Sequence, residues 1–564
     1  MLIVMLVLVV GFGVSYAYFS SPIDNNDSGV NVGSGKLEVE YADETGGNIV
    51  ISNVYPREKE WVTKEFTIKG TNTTNLAAFY KIKMVIDNNG FEALALHYTL
   101  DSVNTDNNGN IIPSISKEYI ASDDIVLGQG YFANTGTNSK EHKYTLKIYF
   151  KDTGEDQNYL QEAKFAAHLV VEEGDKAVTL TPEGWDEAGS GTLLAGIKEN
   201  YPTIMQPLTN PGKERSADNE AVLAGAVDDY GMSYYFRGNV TNNYVQFANK
   251  CWRIVRVTGD GSIKLVLHND NVNKVSSPCA SSNNSGDAAF ARYSGTTYTT
   301  TYNEQANDNA YVGFMYGTAG SSTYAKTHAN INKSTILQNL ETWYKNNLEL
   351  YESKLADTIW CNDKSTKTNQ TIINASLNTT TNKLNKSIGT YPGLGYGTNS
   401  TLYSGRQRVR SNYNYTDTSS KKYGPVGTGP TLICPLDNDG GKLSRFTVKD
   451  TINGNGALDY KIGLLTADEV LYAGSIDYFG YQALNYNNSS INSYLRENAT
   501  GTWYWSFSPN HFYGDASVLY VGGDGCVSSY WVAYSVGLRP AVSLTSATTI
   551  SGGIGTSSSP FIVN

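Results

Sequence analysis

Histidines, cysteines and clustered carboxylates are the residues from which a reactive site could be built, and their spacing here excludes most chemistries. The six histidines stand at 97, 142, 168, 268, 328 and 511. None forms a His-x-x-x-His or His-Glu-x-x-His pair, so a zinc hydrolase has no ligand set. Five cysteines lie at 251, 279, 361, 434 and 526. With no Cys-x-x-Cys pair and no zinc spacing, they fit disulfides in an oxidising compartment better than a metal or dithiol site. Two bridges and one leftover thiol are the simple arithmetic, with the connectivity left open; one arrangement joins Cys361 with Cys434, closing a long polar insertion, and Cys251 with Cys279, tying a hairpin to the loop after it. No Gly-x-Ser-x-Gly elbow occurs. The run Asp-Asn-Asp-Gly-Gly at 437–441 opens like a calcium loop, but the twelfth position is Val448 and not the bidentate Glu such a loop needs. Calcium is the one cofactor left open, and the chain is read as a non-enzyme.

The elements that carry these residues are set by composition first. At 564 residues the chain exceeds a single core, so two to four domains are expected. The 41 tyrosines against 17 phenylalanines, with Asn, Thr, Ser and Gly between short apolar runs, describe a β-rich extracellular protein. A formal net charge of −11 without a Lys/Arg cluster argues against a nucleic-acid surface. The first residues, MLIVMLVLVVGFGVSYAYFS, are apolar from Leu2 to Val14 and end in Ser15-Tyr16-Ala17, small residues suited to signal peptidase. Residues 1–19 are therefore a signal peptide or an N-terminal membrane anchor, and cleavage after Ala17 separates the two.

From 20 to 175 the apolar residues alternate: Leu37, Val39 and Tyr41; Phe66 and Ile68; Tyr80, Ile82, Met84 and Ile86; Tyr144, Leu146, Ile148 and Phe150. Period two over so many segments predicts antiparallel sheets with one wet face, packed as a β-sandwich. Gly/Pro punctuation across 176–232 predicts a linker or docking segment. An α+β domain follows over 233–564. It opens on a hairpin, Cys251 to Val257 and Ser262 to Leu267 around Gly259-Asp260-Gly261. A helix is predicted at STILQNLETWYKNNLE, with Thr335 and Gln338 at capping-box spacing and Leu337, Leu340, Tyr344 and Leu348 on one face. A second starts at Thr466, boxed by Glu469 and stopped at Gly474. The closing hairpin runs from Val518 to Val521 and from Cys526 to Tyr530, and the terminal strands are expected to pair.

Two resemblances attach to these residues. YAYFSS after the leader, VGSGKLEVEY and FTIKGTNTTNLAAFYKIKM resemble the TasA/camelysin family of secreted Gram-positive matrix proteins, which implies a jelly-roll-like fold. CWRIVRVTGDGSIKLVL, WYKNNL, GLLTADEVLYAG and WYWSFSPNHFYGDASVLYVGGDGCVSSYWVAYSVGLRPAVSL resemble, in that order, an uncharacterised family of bacterial surface domains related to the formylglycine-generating-enzyme and C-type-lectin fold. That likeness implies a looped core whose chain ends meet, with the loop before the last strand facing ligand. Trp360 to Asp363 and Ser508 to Asn510 are similar to calcium-site tripeptides of sugar-binding lectins, although Ser508 replaces a carboxylate. The enzymes of that fold use two close cysteines near the C-terminal end, where this chain has Cys526 alone.

The displayed segments are then 508–513 and 529–534, with Asn510, His511, Tyr513, Tyr530, Trp531 and Tyr534 as ligand-binding candidates. Tyr and Trp offer large contact area at low entropy cost. Gly537 and Arg539 are structural, Arg539 pinning the final strand through loop carbonyls. Trp503 and Trp505 read as core aromatics, and Trp531 as either core or display. The expected function is an exported bacterial surface protein that binds a protein or glycan through its lectin-like domain, attached to the membrane by its N-terminal segment. The alternatives are a self-associating fibre or matrix subunit and a divergent formylglycine-generating-enzyme-like enzyme.

Overall fold

In the strand Lys140–Phe150, Tyr144, Leu146, Ile148 and Phe150 are all buried while the residues between them are partly exposed, as alternation requires. The same pattern buries Phe66 and Ile68 on Val62–Thr71, and Tyr80, Ile82 and Met84 on Ala78–Asn89. The computed structural model describes residues 48–564 except 73–77, 92–94, 121–123, 151, 153–156, 158–159, 161, 175–180, 206–215, 218, 285, 368–369, 379–382, 411–414, 417–421, 424–428, 436, 438–441, 478–490 and 497–501. For the strands at 20–22, 30–32, 35–41, 370–378, 383–391, 415–416 and 422–423 it gives the backbone course alone. The leader at 1–19, the side chains of Leu37, Val39 and Tyr41, and positions 438–441 of the calcium-like run lie outside the described residues.

The chain divides into two compact units, Met1–Leu180 and Thr181–Asn564, and its regular structure is dominated by antiparallel sheets. In the first unit one five-stranded sheet runs Ser20–Pro22, Phe165–Glu173, Ala78–Asn89, Ile125–Phe132, with Asn48–Ile51 also on Phe165–Glu173. A six-stranded sheet runs Val30–Val32, Gly35–Tyr41, Val62–Thr71, Lys140–Phe150, Leu96–Asn104, Ile115–Tyr119. Residues of both sheets, Ile82 and Met84 from one and Ile68 and Leu146 from the other, belong to one apolar cluster. The Tyr80 and Tyr144 hydroxyls meet across it at 2.5 Å.

In the second unit, described parts of the segment read as a linker or docking segment carry regular structure. The helix Leu193–Asn200 is capped by Thr192, and Ala221–Asp228 pairs with Gly231–Gly238 along their full length. Those two strands belong to an eight-stranded sheet that also holds Tyr244–Phe247, Lys250–Val257, Ile263–Asn269, Ala541–Leu544, Ile550–Gly552 and Phe561–Val563. The terminal strands do pair: Ile263–Asn269 lies against Ala541–Leu544, and Tyr244–Phe247 against Phe561–Val563. The predicted hairpin closes through Gly261, which has a φ of +76°. A Cβ there would lie 2.2 Å from the Glu183 carbonyl, so glycine is required.

The helix Thr335–Asn347 buries Leu337, Leu340 and Tyr344, with Leu348 following, but its cap is Ser334, whose hydroxyl accepts from the Leu337 N–H. The Thr335/Gln338 box does not form, because Thr335 is already helical and the Gln338 amide bonds the Lys333 carbonyl. At Ala467–Tyr472 the Thr466/Glu469 capping box is complete. Both expected disulfides are formed, Cys251–Cys279 and Cys361–Cys434, and Cys526 is free and buried. Bridges of this kind mark a chain that folds under oxidising, extracellular conditions. Among the described residues no helix is long and apolar enough to cross a membrane.

Candidate functional site

A six-stranded sheet carries the closing motif: Thr299–Thr301, Ser535–Gly537, Tyr504–Tyr513, Asp515–Val521 and Val527–Trp531, with Thr401–Leu402 on Tyr504–Tyr513. The hairpin Asp515–Val521/Val527–Trp531 has Val518 opposite Tyr530 and Tyr520 opposite Ser528. Tyr520 and Tyr530 are therefore diagonal neighbours on one face, within reach of aromatic side chains. Their rings meet edge-on at 6.2 Å. Trp503, just ahead of Tyr504–Tyr513, stacks on Tyr520 at 4.7 Å and 15° and meets Tyr530 at 5.8 Å. A turn in which the Tyr534 N–H donates to the Trp531 carbonyl folds Tyr534 back onto Tyr530 at 4.2 Å and 81°. Trp531 completes the group at 6.1 Å from Tyr530 and 6.0 Å from Tyr534.

Five rings are thus held in mutual contact, with Tyr520 buried as the base. Trp503, Trp531 and Tyr534 remain 41, 50 and 46% exposed. The exposed parts of Trp531 and Tyr534 adjoin one another at the end of the hairpin. The Tyr530 phenol is raised by its hydrogen bond with the Tyr534 hydroxyl, so it stays a neutral donor and acceptor near neutral pH.

Of the predicted ligand residues, Tyr530, Trp531 and Tyr534 converge on this face. The segment 508–513 is not a displayed loop. It is the second half of the strand Tyr504–Tyr513, buried at 508–510 and at Phe512 and exposed at its end. Asn510 is fully buried: its amide donates to the Ser517 hydroxyl and to Nδ1 of His511, which also accepts from Arg406. Asn510 is therefore withdrawn as a ligand residue, and His511 is half-buried beside it. Tyr513 is 70% exposed at the tip of the hairpin. Ser508 is buried and caps Ala467 through its hydroxyl.

Trp503, read from sequence as core, belongs to the site, whereas Trp505 is core and donates to the Thr300 carbonyl. The two positions look alike in sequence because they share strand parity; pairing begins only at Tyr504, which leaves Trp503 at the margin. Gly537 and Arg539, read from sequence as structural, lie in closely packed surroundings. A Cβ on Gly537 would lie 2.7 Å from the Phe290 ring. Arg539 is buried and donates to the Leu267 carbonyl at 3.0 Å and the Leu495 carbonyl at 2.7 Å.

A second polar centre lies inside the same unit. Arg256 bonds Asp228 and Glu469, Lys264 bonds Glu469, and Arg408 bonds Asp363 and Asp468. All of these but Asp228, with Asp229, Thr466 and Ser508, line a cavity of about 20 Å³, the scale of a single water. Burial pushes the Glu469 carboxyl up, but Lys264 and Arg256 overcome this and hold it down to about 2. Burial raises Asp229 to about 6 against the pull of Arg445. Asp437, first of the calcium-like run, accepts from the Ser444 N–H and hydroxyl and from the Tyr324 hydroxyl. Among the described residues no group of three or more His, Cys, Asp or Glu could hold a metal ion.

No family model and no curated protein sequence matches the chain. Among solved structures, the carbohydrate-binding and catalytic modules of Clostridium thermocellum xylanase 10B, complexed with xylohexaose, align with 34% of this chain and 28% of that one. The identity is 11% and the TM-score 0.08, too low to define a shared fold.

Proposed function

We propose that the chain is an exported bacterial surface protein whose second unit is a C-type-lectin-like ligand-binding domain, carried on an N-terminal β-sandwich and attached through the leader. The observation that carries this reading is the exposed aromatic face of Trp503, Tyr530, Trp531 and Tyr534 over buried Tyr520. Three further features support it. The ends of the second unit share one sheet, as a looped lectin-like core needs. Arg539 and Gly537 fix the strand beyond the aromatic turn, so the face is pre-organised and little ordering entropy opposes binding. The two apolar sheet faces of the first unit share one cluster, which suits a sandwich.

The rings are neutral and offer flat faces beside hydroxyls, which fits the C–H faces and hydroxyls of a saccharide better than a charged ligand. The test is a glycan array probed with the full chain, followed by titration of the best hit against Trp531→Ala and Tyr534→Ala. Truncating an aromatic anchor typically costs about 2 kcal/mol, so affinity should fall roughly 30-fold at each. The reading fails if no glycan binds, or if both variants keep wild-type affinity. Selective binding of a host protein in a parallel screen would reassign the face to protein recognition.

A further inference from the structure

Among the described residues of the second unit three lysines lie buried, and their partners differ in kind. Lys250 meets Asp270 at 2.7 Å and Lys264 meets Glu469 at 2.6 Å, each charge answered by a carboxylate. Lys364 is fully buried and has no carboxylate on its amine among the described residues. Its Nζ lies 2.5 Å from Oδ1 of Asn330 and 3.5 Å from the Met315 carbonyl, and 5.1 Å above the Phe446 ring. An ammonium left among neutral oxygens and an aromatic ring is a costly thing to bury. Burial accordingly lowers this amine to about 7, against the opposing field of Asp437, so a large fraction is the neutral, nucleophilic form near neutral pH.

The carboxamide is held equally firmly. Asn330 sits at a φ of +55°, and its Nδ2 donates to the Leu443 carbonyl at 2.9 Å, which turns Oδ1 toward the lysine. Lys364 is fixed in turn: its N–H donates to the Ser444 hydroxyl and its carbonyl accepts from Tyr324. Amine and carboxamide are thus two reactants placed side by side in a site poor in water, the arrangement that gives intramolecular reactions their high effective concentration.

We propose that Lys364 and Asn330 join in an intramolecular isopeptide crosslink. The Lys364 Nζ lone pair attacks Cγ of Asn330, an Nζ–Cγ amide bond forms, the Cγ–Nδ2 bond breaks, and the proton lost from Nζ leaves with Nδ2 as ammonia. No oxidant, cofactor or partner enters the balance. The product removes the unpaired buried amine and replaces a hydrogen bond with a covalent one. It closes a 34-residue loop containing the helix Thr335–Asn347, three residues from the Cys361–Cys434 bridge. For an exposed surface protein the return is kinetic, since the crosslink slows opening of that region without depending on redox state.

Peptide mapping of the full folded chain, denatured and fully reduced before digestion, tests this directly. The expected product is a branched peptide joining the segments around 330 and 364, lighter than their sum by about 17 Da, the mass of ammonia. Trypsin should fail to cut after Lys364. Asn330→Ala and Lys364→Met should each return linear peptides, with circular dichroism confirming that the variants fold. Recovery of unmodified linear peptides covering Asn330 and Lys364 from the folded wild-type chain would overturn the proposal, whatever the variants do.

Discussion

Acidification of the first unit is a perturbation whose size follows from one buried histidine. His142 is fully buried, stacks on Phe132 at 4.2 Å, and closes a chain of hydrogen bonds with one consistent direction. The Ile112 N–H donates to the Tyr144 oxygen at 3.0 Å, the Tyr144 hydroxyl donates to the Tyr80 oxygen at 2.5 Å, and the Tyr80 hydroxyl donates to Nδ1 of His142 at 2.5 Å. Nε2 then donates to the Asn108 carbonyl at 2.7 Å. In this direction Nδ1 accepts and the ring is neutral; a proton on Nδ1 would require the Tyr80 and Tyr144 hydroxyls to turn round. Burial lowers the imidazole from its usual 6.5 to about 4, against the opposing pull of the Asn108 carbonyl and Asp106.

Because the folded value lies below the unfolded one, the unfolded chain binds the proton first. The stabilisation is complete above pH 6.5 and is lost as pH falls toward 4. It amounts to about 3 kcal/mol, of which roughly 2 kcal/mol is gone by pH 5, where most carboxylates are still ionised. The assay is amide hydrogen exchange of the strand Lys140–Phe150 in the full chain at pH 7 and 5, corrected for intrinsic rates, with His142→Gln as the reference. Exchange protection should weaken in the wild type and hold nearly level in the variant. A His142 ring that titrates near 6.5 by NMR, or equal pH dependence in both chains, would refute the reasoning.

Arg539→Ala leaves the Leu267 and Leu495 carbonyls buried without their donor and should destabilise the second unit by about 3 kcal/mol or more; Trp531→Ala, at an exposed position, should stay within about 0.5 kcal/mol by the same denaturant titration. Equal losses at both would place Trp531 in the core. Reducing Cys361–Cys434, which spans 73 residues, should lower stability by about 4 kcal/mol in urea unfolding with and without reductant. Glu469→Gln strips the charge that Arg256 and Lys264 share and should cost about 3 to 5 kcal/mol in thermal unfolding; a wild-type melting curve would show that the pair is dispensable.

What the sequence determined by itself is what depends on near neighbours. Alternation at Tyr144, Leu146, Ile148 and Phe150 put those residues in a sheet core, because side-chain direction along a strand repeats every second residue. The Gly259-Asp260-Gly261 turn and the Thr466/Glu469 box are legible for the same reason: their partners are within a few residues. Cysteine count and compartment pointed to two bridges, while the pairing itself, Cys251–Cys279 and Cys361–Cys434, is decided by which sulfurs the fold brings together. The tertiary structure alone decided the matters set by distant contacts. Ser508 and Asn510 look like a displayed loop, yet Ser508 is spent on Ala467 and Asn510 on Ser517, so their segment is an inner strand. Ala221–Asp228 lacks a strong strand signature and is a strand because Gly231–Gly238 pairs with all of it. Trp503 and Trp505 have the same local pattern, and only the Tyr520 and Tyr530 rings on one side and the Thr300 carbonyl on the other send one to the surface and one to the core. Lys364 and Asn330 carry no motif at all; folding brings them to 2.5 Å because burial and pairing are properties of the whole packed unit, not of its neighbours in the chain.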